Sequence, residues 1–111
     1  MRTRQEIFNL AWNGLKAQGF KRSIMVGSDR CLYRSQNGLK CAIGHCIQDH
    51  SYHRDLEDAP YADVLDAAEI SSAEHDFTRY LQVCHDNSTR PKKMEQALRR
   101  FASEHSLTIP A

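Results

Sequence analysis

Long apolar runs are missing from this chain of 111 residues. No stretch approaches the roughly 20 apolar residues that a membrane-spanning helix needs. The start, Met1-Arg2-Thr3-Arg4-Gln5-Glu6, has no apolar segment of the kind that secretory signals carry. Both absences point to a cytoplasmic protein with no membrane partner. Low-complexity tracts and internal repeats are missing too. With 5 Gly and 3 Pro against 41% hydrophobic residues, the composition is that of a folded domain and not of a linker. Nothing divides the chain, so residues 1–111 read as a single domain.

Several chemical signatures are also lacking. There is no Cys-x-x-Cys pair, which removes the strongest zinc pattern. A phosphate-binding glycine loop and a Gly-x-Ser-x-Gly elbow are both absent, which removes the familiar nucleotide-binding and serine-hydrolase patterns. No charge sign is in excess, since the formal net charge is +1. That argues against direct nucleic-acid binding, which usually needs a basic face.

What the chain has is segregated charge. From Asp49 to Asp76 lie Asp49, Asp55, Glu57, Asp58, Asp63, Asp66, Glu69, Glu74 and Asp76, with Arg54 the one Lys or Arg among them. The bases flank this block, from Arg2 to Lys40 before it and from Arg90 to Arg100 after it. An acidic stretch of this kind suits docking on a basic partner surface. The flanking cluster Arg90, Lys92, Lys93, Arg99 and Arg100 offers a competing nucleic-acid reading, but Glu95 and Glu104 interrupt it.

Hydrophobic spacing predicts a helix over Gln5–Gln18, with Ile7, Phe8, Leu10, Ala11, Trp12 and Leu15 on one face and Gly19 at its C-terminal stop. Cys31-Leu32-Tyr33-Arg34-Ser35 has strand character. The turn Gln36-Asn37-Gly38 leads into a partner strand, Leu39 to Gly44. Asp58 is expected to cap a helix with Pro60 in its first turn, and Ser71-Ser72 to open another that carries Phe77, Leu81 and Cys84. Pro91 starts a last helix that is expected to bury Met94, Ala97, Leu98, Phe101 and Ala102. The expected fold class is therefore α+β, a small, mostly helical domain. Its two-stranded antiparallel hairpin (31–35 and 39–44) packs on roughly four helices.

The candidate chemistry lies in the Cys and His residues. Cys41, His45, Cys46 and His50 fall four apart in pairs and form a candidate zinc set, although Cys41 on a strand could not chelate with His45 easily. Cys41 as nucleophile with His85 as base and Asp49 as orienter would make a thiol hydrolase. Asp86 is an unlikely orienter on spacing alone, because consecutive helical residues point apart. The bland alternative makes the cysteines small buried groups. It places His85-Asp86 at a helix end, with His85 near the last carbonyls.

Cys31-Leu32-Tyr33-Arg34, Gly38-Leu39-Lys40-Cys41-Ala42-Ile43-Gly44, Ile47, Asp49, Tyr52 and the later Leu81-Gln82-Val83-Cys84-His85-Asp86 resemble a family of short proteins from phages, prophages and plasmids. The resemblance spans nearly the whole chain and departs from the family pattern at His45 to His50. It implies a mobile-element context in a bacterial host and no particular mechanism.

The reading that follows is a non-enzymatic protein without a cofactor. It would inhibit a host protein or protein–nucleic-acid complex, most sharply a defence system in the manner of an anti-CRISPR protein. Asp55, Glu57, Asp58, Asp63, Asp66 and Glu69 would form its binding surface. The alternative is a small thiol- or metal-dependent hydrolase centred on Cys41 and His85.

Overall fold

A computed structural model covers residues 1–111. Its centre is helix α1, Arg4–Ala17. Thr3 starts it with reciprocal bonds: the Glu6 backbone N–H donates to the Thr3 hydroxyl at 3.1 Å, and the Thr3 N–H donates to the Glu6 carboxylate at 2.7 Å. Ile7, Phe8, Ala11, Trp12 and Leu15 repeat at helical spacing and are all buried. Gly19 adopts φ +72° just past the helix end. This folds Phe20 back so that its N–H donates to the Leu15 carbonyl at 2.7 Å and its ring meets Trp12 edge-on.

Three further helices complete the core. Helix α2 spans Tyr61–Ala67, α3 His75–Asp86 and α4 Pro91–Glu104. A seven-residue helix has little stability of its own, so α2 depends on its buried Val64 and Leu65. Pro60 takes the N-cap position of α2 and Asp58 makes no capping bond, so the expected Asp58 cap does not form. Ser71 caps a 3₁₀ turn, Ser72–Glu74, that leads into α3. Helices α3 and α4 pack as an antiparallel pair: Cys84 meets Ala97, while Phe77 meets Phe101 and His105. Phe8 stacks on Phe101 at 6.2 Å and ties α1 to α4.

The expected hairpin is not a hairpin of strands, and the molecule is not α+β. There is no strand or sheet. The chain does reverse at Gly38 (φ +84°), but only an isolated bridge, Arg34 to Lys40, joins its two arms. Two physical causes are visible. The Tyr33 amide, which would face Cys41 in a ladder, donates instead to one Glu57 carboxylate oxygen at 3.0 Å, and the outward-facing Arg34 amide donates to the other at 3.1 Å. On the other arm, Ala42 turns into helical backbone (φ −53°, ψ −55°) and opens a 3₁₀ turn, Ile43–Cys46, whose Ile43 is fully buried. A second isolated bridge, Ile24 to Cys31, closes a reversal around Gly27 (φ +79°). The segment between α1 and the Ile43–Cys46 turn is therefore a folded loop. Two more 3₁₀ turns, Asp49–Ser51 and Arg54–Asp58, carry the chain on to α2. No helix is long and apolar enough to cross a membrane.

Candidate functional site

The final turns of α3 hold the densest polar arrangement in the interior. Gln82, His85 and Asp86 are spaced i, i+3 and i+4, so they share one face of the helix. That face meets the folded loop. The Gln82 carbonyl accepts the Ile43 amide at 3.0 Å, and its amide group donates to Asp86 Oδ1 at 3.1 Å. His85 is fully buried, and its Nε2 accepts the Ser23 amide at 2.8 Å. A ring nitrogen that accepts an N–H carries no proton, so the proton of the neutral imidazole sits on Nδ1. Nδ1 in turn lies 2.8 Å from Asp86 Oδ1, to which it donates. Asp86 thus orients His85, contrary to the spacing argument. The helix ends at Asp86, and there its carboxylate can fold back against the neighbouring ring. His85 does not serve the last carbonyls of α3. It serves the backbone of the loop opposite.

Cys31 completes the group. Donor atoms of Cys31, His85 and Asp86 all lie within 4.8 Å of one another, an arrangement that could hold a metal ion. Burial, followed by the adjacent Asp86 charge and its hydrogen bond, pushes the Cys31 thiol up to about 11. Cys31 is therefore a thiol and not a thiolate near neutral pH.

The sequence-derived sites are distributed differently. Cys41 is fully buried, and its sulfur accepts the Gly44 amide at 3.3 Å. Burial raises its thiol far more than the bonds from Gly44 and Gln82 lower it, which leaves no nucleophilic thiolate. Asp49 is not near His85 but on the surface, with Arg34 at 2.9 Å and Lys40 at 3.9 Å. Cys41, His45, Cys46 and His50 do not form a ligand group. The Cys46 thiol is pushed up to about 12 by burial, and His50 is exposed. The His45 ring rests on α1 at Gly14, where a Cβ would come within 2.2 Å of it, and its Nε2 pairs with Gln18 Oε1 at 3.0 Å. Burial, then the positive charges of Lys40 and its neighbours, lower His45 to about 4.

Four acids of the block, Asp49, Asp58, Glu69 and Glu74, pair with bases from the earlier part of the chain. Arg2 pairs with Glu69 at 3.4 Å, Arg4 with Glu74 at 2.7 Å and Arg30 with Asp58 at 2.7 Å. Glu57 turns inward and accepts the Tyr33 and Arg34 amides and the Tyr52 hydroxyl, the last at 2.7 Å. Besides the inward-turned Glu57, three carboxylates of the block make no ion pair: Asp55, Asp63 and Asp66. They line one shallow depression together with His53, Leu56, Ala59 and Ala67. Spacing did not separate these three from Glu57, Asp58 and Glu69, because their neutralising partners are distant in sequence.

Comparison of the chain with protein-family models, with curated proteins and with solved structures returns no match.

Proposed function

We propose that the protein is a non-enzymatic binder that acts through its exterior, by docking an acidic patch onto a basic surface of a host complex. The observation that carries this reading is the convergence of Asp55, Asp63 and Asp66 on one depression while the rest of the block is paired or turned inward. Helix stability explains only part of that arrangement. Asp63 stands in the first turn of α2, where a carboxylate favours the helix dipole. Asp66 stands in the last turn, where it opposes the dipole. The likeness to mobile-element proteins directs the reading to inhibition of a bacterial defence system in the manner of an anti-CRISPR protein. A pulldown from the host with mass spectrometry identifies the partner. Replacing Asp55, Asp63 and Asp66 together by Lys is expected to abolish capture and inhibition. Affinity unchanged by that replacement removes the acidic patch from the account.

A second reading makes Cys31, His85 and Asp86 a metal centre. The donor set argues against it. A metal on His85 Nδ1 leaves the proton of a neutral imidazole on Nε2, which then faces the Ser23 amide donor to donor. Metal analysis of purified protein is expected to give zinc well below one per chain. Stoichiometric zinc would establish the metal reading instead.

A further inference from the structure

Two of the four exposed large apolar side chains lie together, apart from Met1 and Val26. Tyr80 and Val83, respectively 63% and 45% exposed, stand on the outer side of α3. They border a groove of about 550 Å³ between α3 and α4, with Cys84, Ala97 and Phe101 also lining it. Clustered apolar exposure of this kind marks an interface more often than scattered residues do.

The charges along α4 indicate what covers the groove. Lys93, Ala97, Arg100 and Glu104 follow one another at helical spacing, so they share the groove side of α4. Lys93 and Glu104 have no ion-pair partner within the chain. This edge therefore carries an unpaired cation, Lys93, where α4 begins and an unpaired carboxylate, Glu104, where it ends, with the equally unpaired Arg100 one turn before Glu104. Such a face complements itself when a twofold axis lies in it and crosses both helices. Helix α4 then runs antiparallel to its copy, and Lys93 of each chain meets Glu104 of the other. Contacts between identical patches need self-complementarity of this sort.

We propose that the chain forms a symmetric homodimer through the α3–α4 groove, with Tyr80 and Val83 at the apolar centre and Lys93–Glu104 pairs at the two ends. The groove shares no lining residue with the acidic depression. Light scattering on the full chain over a dilution series tests this directly. The expected mass is twice the 12.7 kDa of one chain at high concentration, with dissociation on dilution. Val83→Glu is expected to give the single-chain mass throughout. Its thermal midpoint should be unshifted at dilutions where the wild type is itself dissociated. Lys93→Glu should weaken the dimer by about tenfold, and adding Glu104→Lys to it should restore the wild-type mass. A wild-type chain that stays monomeric overturns the proposal, as does a dimer that either Val83→Glu or Lys93→Glu leaves intact.

Discussion

Single residues decide whether the loop between α1 and the Ile43–Cys46 turn holds its shape. At Gly44 a Cβ would lie 2.1 Å from the Tyr33 carbonyl oxygen, and backbone on both sides leaves no flexible neighbour to give way. Gly44→Ala is therefore expected to lower stability by at least the roughly 1–3 kcal/mol typical of overpacking, read from the urea midpoint. His85→Phe keeps a ring of similar bulk but removes the acceptor for the Ser23 amide. Leaving that buried donor unpaired should cost about 1–3 kcal/mol, again measured by urea unfolding. His45 adds a pH dependence. Its folded-state value is depressed to about 4, below the roughly 6.5 of the unfolded chain, so at acidic pH the unfolded state binds a proton that the folded state refuses. Stability is thus full above about pH 6.5 and declines as pH falls toward 4. Thermal scans across that window should show the decline in the wild type and a flatter profile in His45→Gln.

At the scale of elements, the helices were legible and the hairpin was not. The helical stretches over 5–18 and from Pro91 follow from spacing, because every third or fourth residue there is apolar and ends up buried. The Asn37-Gly38 signal also located a true reversal. It failed as evidence for strands because the ladder amide of Tyr33 goes to Glu57, a residue 24 positions further along the chain. No local pattern announces a carboxylate that arrives from so far along the chain. Glu57→Gln tests its part. An amide offers one acceptor oxygen and an NH₂ group that cannot receive the second backbone donor, so stability should fall by about 1–3 kcal/mol while the helical circular dichroism persists. An unchanged urea midpoint would show that the carboxylate is not what fixes the loop. The Gln82-His85-Asp86 face follows the same lesson in reverse. Its i, i+3, i+4 spacing was present in the sequence, whereas the adjacency of His85 and Asp86 in sequence pointed the wrong way.

For the whole molecule, charge segregation in the sequence becomes mutual neutralisation in the fold. Arg2, Arg4, Arg30 and Arg34 reach from the first part of the chain to Glu69, Glu74, Asp58 and Asp49. Exposed pairs of this kind contribute little each. Their consequence lies in what they leave over: three unpaired carboxylates around one depression, and an interior whose thiols and imidazoles are committed to architecture. The proposed binder reading rests on the commitment of His85, since a free or metal-bound His85 would favour the hydrolase reading instead. The most direct measurement is the protonation pattern of the His85 ring nitrogens by long-range proton–nitrogen NMR, recorded with and without equimolar zinc. The expected result is the proton on Nδ1, an unprotonated Nε2 coupled to the Ser23 amide, and no change on adding zinc. A proton on Nε2, or a zinc-induced shift of Nδ1, would contradict it.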